Sequence, residues 1–151
     1  MHDTSLPAPA DHPPPHGVFR HPLRVYWEDT DAGGVVFYAN YLKFFERART
    51  EWLRALGFSQ QQMLQHDGVM FVVADTALRY LRAAHLDDLL QITVAVAETG
   101  RASMRLQQQA WRGGELLAEG GIRIGCVAAG DAPAAGFRPC RIPAAILEKI
   151  Q

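Results

Sequence analysis

The spacing of apolar residues changes from strand-like to helix-like early in the chain. A period-two alternation predicts a first β-strand, with Leu23, Val25 and Trp27 on one side and Arg24 and Tyr26 on the other. The loop that follows, residues 28–34, combines three acidic residues with two glycines.

Helical spacing then predicts a long helix from about Asn40 to Leu56. Asn40 is a residue type that favours helix starts, and Gly57 is the expected end signal. The apolar residues recur at intervals of three and four and form a wide face: Tyr41, Phe44, Phe45, Ala48, Trp52 and Leu56. So much aromatic surface needs a large cover, and a sheet wrapped around the helix would provide one. Glu46 and Arg49 are spaced for an ion pair on this helix.

The remainder of the chain has mainly strand character. A short helix is expected over Gln60–His66, followed by four strands at Val69–Leu81, Leu89–Thr99, Ala102–Trp111 and Leu116–Val127, and a final helix at Ala144–Lys149. Residues 112–115, Arg-Gly-Gly-Glu, form a hairpin signal between the last two strands. The predicted fold class is α+β, a long central helix wrapped by a single antiparallel sheet of about five strands.

Length and composition limit the possible functions. The 151 residues suffice for one domain, which we place at residues 19–151 after a disordered, proline-rich tail at residues 1–18. A net charge of −1 argues against a nucleic-acid partner. Because no apolar run has the length of a signal peptide or a transmembrane segment, we expect a cytoplasmic protein.

Metal and cofactor signals are weak. Cys126 and Cys140 have no zinc-ligand spacing. They could form a disulfide with each other, but two free thiols in a reducing compartment are the preferred interpretation. The sequence contains neither a phosphate-binding P-loop nor a serine nucleophile motif. We therefore expect no metal and no cofactor.

The acidic loop before the long helix is the best candidate for chemistry. Glu28, Asp29 and Asp31 could simply be helix-capping or solvated charges. A helix N-terminus also offers free N–H groups that can stabilise an oxyanion, and a nearby carboxylate can activate water or attack a thioester itself. Gly33 and Gly34 would let the backbone approach a ligand closely.

The sequence of this region resembles the signature of a known family. Residues 26–41, Tyr-Trp-Glu-Asp-Thr-Asp-Ala-Gly-Gly-Val-Val-Phe-Tyr-Ala-Asn-Tyr, and residues 45–49, Phe-Glu-Arg-Ala-Arg, resemble the signature of YbgC-type acyl-CoA thioesterases. These enzymes belong to the hotdog superfamily that includes 4-hydroxybenzoyl-CoA thioesterase. The resemblance extends from about Phe19 to the C-terminus.

The resemblance implies roles for individual residues. Asp31 would be the catalytic carboxylate, as nucleophile or general base, and a backbone amide near Tyr38 would polarise the thioester carbonyl. Many members of the narrower family have histidine at the position of Tyr38, so any role of a histidine side chain is lost here. Substrate-binding candidates are Gly34, Val36, Asn40 and Tyr41 in the same segment, and Arg101, which would contact CoA phosphate across a subunit boundary. An exposed turn arginine is an equally good interpretation of Arg101.

The resemblance also implies function and assembly. The expected reaction is hydrolysis of acyl-CoA, on short or aryl chains, to free acid and CoA. The alternative is a non-catalytic or scaffold role with the Tol-Pal and phospholipid-synthesis machinery, binding acyl carrier protein. A dehydratase is less suited, because the loop–helix segment has no histidine. An uncovered sheet edge and the family likeness together favour a homodimer or homotetramer.

Overall fold

The computed structural model describes residues 18–129 and 137–150, so nearly all of the predicted tail, residues 1–17, lies outside it. The strands are β1 Phe19–Arg24, β2 Val69–Tyr80, β3 Leu89–Thr99, β4 Ser103–Arg112, β5 Glu115–Ala128 and β6 Arg138–Pro139. The helices are α1 Asn40–Ala55, the short α2, which is α-helical over Gln60–Gln62 and π-helical over Met63–Asp67, and α3 Ala144–Ile150. None of the helices in the described part of the chain combines the length and apolarity that crossing a bilayer requires.

The strands form one antiparallel sheet in the order β1-β3-β4-β5-β2, and the two-residue β6 pairs with the end of β5. The predicted α+β class and the five main strands are confirmed, whereas β6 was not predicted. Helix α1 lies against β1 and β3. In strand β4, buried and accessible residues alternate from Met104 to Gln108. One face of the strand is therefore buried in the core and the other is accessible.

Helix α1 buries the aromatic face that its sequence predicts. Phe44, Phe45 and Ala48 are fully buried, and together they form the centre of the core. The predicted end is also confirmed. The Phe58 N–H bonds the Leu53 carbonyl and the Gly57 N–H bonds the Arg54 carbonyl, each at 2.9 Å, which is the Schellman arrangement around a positive φ at Gly57.

The expected ion pair between Glu46 and Arg49 is wrong. Arg49 is only 9% exposed, and its guanidinium Nη1 donates to Gln108 Oε1 on β4 at 2.9 Å. Gln108 is itself buried, and its Nε2 donates to the Phe45 carbonyl at 3.1 Å. The side chain of Arg49 therefore turns toward the sheet and ties the helix to β4, because a buried guanidinium must find an acceptor there.

The first strand lies earlier than predicted. It ends at Arg24, and Trp27 instead begins a 3-10 helix, Trp27–Asp29, with its side chain 80% exposed. The reason is local. The Tyr26 N–H donates to Asp29 Oδ2 at 2.8 Å, which bends the chain into a tight turn where alternation alone suggests extension.

Strands β2 and β5 approach each other closely at Gly120, and this gives a stability prediction. A Cβ atom at Gly120 would lie 2.2 Å from the Ala77 carbonyl oxygen, whereas at Gly121 the nearest atom would lie at 3.9 Å. We expect Gly120→Ala to lower the free energy of unfolding by about 3 kcal/mol, because backbone must move. Gly121→Ala is the matched control and should cost much less. Urea unfolding of both variants tests this, and equal midpoints would contradict it.

Candidate active site

The loop between β1 and α1 folds back on itself as a small hairpin. The Phe37 N–H donates to the Asp29 carbonyl at 3.0 Å, and the Asp31 N–H donates to the Val35 carbonyl at 2.8 Å. The turn closes at Gly34, whose φ of 78° favours glycine. These bonds fix the loop that carries the acidic residues.

The Asp31 carboxylate is held by its own loop and remains accessible. Its Oδ1 accepts hydrogen bonds from the Gly33 N–H at 2.8 Å and the Val35 N–H at 3.4 Å. Its Oδ2 has no hydrogen-bond partner among residues 18–129 and 137–150, and the residue is exposed. One oxygen therefore orients the carboxylate and the other can meet a ligand.

Asp29 has a different, structural role. It is only 5% exposed, and besides accepting from Tyr26 its carbonyl accepts from Asn40 Nδ2 at 2.8 Å. Asp29 thus joins the 3-10 turn to the start of α1. Glu28, the third acid of the loop, is exposed.

The start of α1 presents free backbone donors. The Asn40 N–H bonds the Phe37 carbonyl at 2.8 Å, and this fixes the planar peptide whose other end is the Tyr38 N–H. Within the described ranges, no backbone carbonyl accepts from the N–H of Tyr38 or of Ala39. Ala39 occupies the N-cap position without a side-chain cap, and Asn40 is the first helical residue. Unpaired N–H groups at the positive end of a helix suit an anionic oxygen.

An aromatic cluster, Phe37, Tyr38, Tyr41 and Tyr80, lines the start of the helix. The Tyr80 hydroxyl, at the end of β2, donates to the Tyr38 carbonyl at 3.0 Å, and the rings of Tyr41 and Tyr80 are 5.5 Å apart. Burial raises the pKa of Tyr41 and of Tyr80 above the usual value of a phenol. Both hydroxyls are therefore protonated at neutral pH. The contact of Tyr80 was not predicted, because its place beside the start of α1 depends on the pairing of β2 with β5, which lies about forty residues later in the chain.

The segment before β3 supports the loop from its other side. The Val36 N–H bonds the Ala84 carbonyl at 2.9 Å, and the Leu86 N–H bonds the Gly34 carbonyl at 3.3 Å. Asp88 holds this segment, since its Oδ2 accepts from the His85 N–H and from Arg112 Nη1, both at 2.8 Å. Val36 itself is buried in the core.

A mainly apolar groove of about 350 Å³ lies between α1 and β2, starting one helical turn after Tyr38. It is lined by Leu42, Lys43, Glu46, Arg49, Val73, Thr76 and Ile122. Two of its apolar residues, Leu42 and Val73, are well exposed. The groove has the size and polarity for a small acyl group.

Arg101 lies far from Asp31 within one chain. The Asp31 loop adjoins the start of β3, where Arg24 pairs with Leu89, whereas Arg101 follows the end of β3. Eleven residues of strand separate the two ends by roughly 30 Å. Arg101 lines a surface cleft together with Arg141, and neither guanidinium has a partner among the hydrogen bonds and ion pairs of the described residues.

Comparison with known proteins identifies the family. The thioesterase superfamily model matches residues 33–119, which include the end of the loop and all of α1 and begin two residues after Asp31. The chain belongs to the thioesterase superfamily. The acyl-CoA thioesterase YbgC of Haemophilus influenzae is 45% identical over 119 residues, covering 79% of this chain and 88% of that protein.

Solved structures of other proteins have the same fold. A probable thioesterase from Bartonella henselae is 32% identical with a TM-score of 0.76, covering 83% of this chain and 99% of its own. A 4-hydroxybenzoyl CoA thioesterase mutant, at 19% identity, covers 89% of this chain and 99% of its own with a TM-score of 0.80, which shows the fold alone. The expected hotdog fold is confirmed.

Within this thioesterase fold, the candidate residues fall into two groups. Six of them share one continuous segment from the hairpin loop into the first turn of α1: Asp31, Gly34, Val36, Tyr38, Asn40 and Tyr41. Arg101 is separated from them by the length of β3. Three further arginines, Arg79, Arg82 and Arg105, are each paired with a carboxylate of the same chain and are less available for phosphate.

The Asp88 contacts give a pH prediction. Burial raises the pKa of Asp88, but the hydrogen bonds from Arg112 and the His85 N–H, with the charges of both side chains, lower it by more. A lowered folded-state pKa means that Asp88 stabilises the protein above the unfolded pKa, and that this stabilisation is lost as pH falls below about 4.

We therefore expect Asp88→Asn to lower the free energy of unfolding by about 1–2 kcal/mol at pH 7 and by progressively less toward pH 3. Asp87→Asn is the matched control. The backbone φ of Asp87 is 71°, which asparagine tolerates, and its side chain has no hydrogen bond or ion pair among the described residues. Denaturant titrations at both pH values measure the difference; a pH-independent loss in Asp88→Asn would contradict the assignment.

Proposed function

We propose that this protein hydrolyses acyl-CoA thioesters to a free acid and CoA, with Asp31 as the catalytic carboxylate. The observation that carries the proposal is the combination, in one hydrogen-bonded segment, of a carboxylate oxygen and backbone N–H groups that have no hydrogen-bond partner within residues 18–129 and 137–150. Membership of the thioesterase superfamily and the likeness to acyl-CoA thioesterases support the same reaction.

The proposed division of labour follows from charge. The N–H groups of Tyr38 and Ala39 bind the thioester carbonyl oxygen and stabilise the negative charge that develops on it. Asp31 either removes a proton from the attacking water or attacks the carbonyl carbon to form an anhydride that water then cleaves. In both routes the C–S bond breaks, and the CoA thiolate takes up a proton.

Asn40 and Tyr80 are proposed to position the oxyanion donors. The Asn40 N–H fixes the peptide of Tyr38, and the Tyr80 hydroxyl fixes the peptide of Ala39 through the Tyr38 carbonyl. The ring of Tyr41 packs against the rings of Phe44 and Tyr80. Because these contacts are to the backbone, the amide donor of residue 38 is retained with tyrosine at this position, as it would be with histidine.

We propose that the acyl group lies in the groove between α1 and β2. Leu42, in the first turn of α1, lines the groove just beyond the proposed oxyanion donors, so an acyl chain leaving the carbonyl can enter it. The small apolar volume favours short-chain or aryl groups. Gly34 and Val36 shape the loop beside the proposed position of the thioester carbonyl.

We further propose that Arg101 binds CoA phosphate and that it does so for the site of another subunit. Its guanidinium, which has no partner among the residues that the structure describes, and the neighbouring Arg141 support phosphate binding. The distance from Asp31 within one chain favours a site shared between chains. Strand β2 forms one edge of the sheet, and its residues 73–77 are exposed, so a homodimer can form by pairing along it.

The remaining parts of the proposal rest on the YbgC likeness alone. We propose that the protein is cytoplasmic and that its dimers pair into a homotetramer. We also propose that acyl carrier protein delivers some substrates and that the protein associates with the Tol-Pal system. The scaffold role without catalysis is not favoured, because the relatives are named for thioester hydrolysis.

Replacing the Asp31 carboxylate tests the reaction. We expect Asp31→Asn to lower kcat for butyryl-CoA and benzoyl-CoA about a thousandfold, because no group remains to attack or to activate water. Release of CoA thiol measures the rate. Glu28→Gln is the matched control, an exposed acid of the same loop, and should retain wild-type activity. Near wild-type turnover by a folded Asp31→Asn variant would reject Asp31.

Removing the Arg101 guanidinium tests phosphate binding separately. We expect Arg101→Ala to raise KM for acyl-CoA about tenfold and to leave kcat unchanged, since only a charge-assisted bond to the nucleotide end is lost. The acyl-pantetheine thioester, which lacks the nucleotide, should show no difference. Arg105→Ala, an exposed arginine close to Asp75 and Glu98, is the control. An equal rise in KM for both thioesters would contradict the assignment.

A further inference from the structure

Two thiols that the proposed reaction does not use lie side by side at the C-terminal end of β5. Cys126 Sγ and Cys140 Sγ are 3.4 Å apart, although the two residues are fourteen positions apart in sequence. Both are free cysteines. Cys126 belongs to β5, and Cys140 directly follows β6.

The backbone holds the two cysteines directly opposite each other. Val127 pairs with Pro139 in the antiparallel ladder, and one step further the Cys140 N–H donates to the Cys126 carbonyl at 2.9 Å. Directly opposed residues of an antiparallel pair have Cα atoms about 4.5–5.5 Å apart, within the range that a disulfide spans. Each sulfur would need to move by less than about 1 Å to reach bonding distance.

The two thiols differ in reactivity. Cys126 is 1% exposed, and burial, followed by the hydrogen bond and charge of Cys140, raises the pKa of Cys126 to about 12. It is therefore a thiol, not a thiolate, at neutral pH, and cannot begin an exchange reaction. Cys140 is partly exposed and can be reached by a small oxidant.

We propose that Cys126 and Cys140 form a reversible oxidation site that uses a low-molecular-weight disulfide, such as glutathione disulfide, as its oxidant. The Cys140 thiolate attacks one sulfur of glutathione disulfide, forms a mixed disulfide and releases one glutathione thiolate. In the mixed disulfide, Cys140 no longer bears a charge that raises the pKa of Cys126. Cys126 then gives its proton to the released glutathione thiolate, attacks the Cys140 sulfur as a thiolate, forms the internal disulfide and releases the second glutathione thiolate. Two electrons pass from the protein thiols to glutathione disulfide, and the two thiol protons end on the two glutathione molecules.

The internal disulfide would tie the C-terminal segment to the sheet covalently. In the reduced protein this segment is held by the two-residue pairing of β6 and by buried side chains of Ile142 and Ile146. The Ile142 N–H also bonds the Arg101 carbonyl at 2.8 Å, so the segment packs against the β3–β4 turn. The proposal does not depend on thioester hydrolysis, and a failure of either leaves the other intact.

Mass spectrometry of the full chain tests the site. The native protein is equilibrated with glutathione disulfide, alkylated and measured intact. We expect the wild type to lose about 2 Da, to carry no alkyl groups and no glutathione, and to return to the dithiol with excess reduced glutathione. Two alkylatable thiols, or a stable glutathione adduct of about 305 Da on the wild type, would overturn the proposal.

Two serine variants test the order of attack. Cys126→Ser leaves the accessible thiol without its partner and should accumulate the glutathione adduct at Cys140. Cys140→Ser leaves only the buried thiol and should stay unmodified while folded. Equal modification of both variants would contradict Cys140 as the entry point.

Thermal unfolding gives an independent measure, because it does not rely on trapping thiols. We expect oxidation to raise the Tm of the wild type by roughly 5–10 °C, and to leave that of Cys140→Ser unchanged. An unchanged Tm in oxidised wild type would show that the bond, if formed, does not close the C-terminal segment onto β5, and would overturn that part of the proposal.

Discussion

Helix α1 can bury its aromatic face only if its first turn is held at one place beside the sheet. Phe44 and Phe45 each contribute about 2 kcal/mol or more by leaving water, and they do so together only in one orientation of the helix. The contacts of Asp29 with Tyr26, Phe37 and Asn40 provide that fixed start. The N–H groups at the start of α1, which lack an acceptor in the part of the chain that the structure describes, are therefore held in place by the same contacts that let the core form.

The regular elements could be predicted because each depends on local spacing. The face of α1, its end at Gly57 and the hairpin between β4 and β5 all follow from residues close in sequence. The first strand was misplaced because one hydrogen bond, from the Tyr26 N–H to the Asp29 carboxylate, overrides the alternation through Trp27. The Arg49 contact was mispredicted because its acceptor, Gln108, lies on a strand fifty-nine residues away.

The candidate site was predictable as a segment but not as a set of contacts. The composition of the loop indicates acids beside a helix start, and the family likeness selects Asp31 among them. It does not reveal that Asp29 is the buried member, which serves the fold, while Asp31 keeps one oxygen open. Tyr80 and Asp88 reach the site only through strand pairing and the turn before β3, so no spacing rule indicates them.

The separation of Arg101 from Asp31 along β3 has a consequence for mixed assemblies. If, as proposed, one substrate needs both residues and they come from different chains, then a chain lacking the carboxylate and a chain lacking the guanidinium are each expected to be inactive toward low concentrations of CoA thioester. When the two are combined, some assemblies contain an intact Asp31 facing an intact Arg101. On the proposed arrangement the two inactive variants would therefore restore activity when mixed, because the functional unit would be the pair of chains.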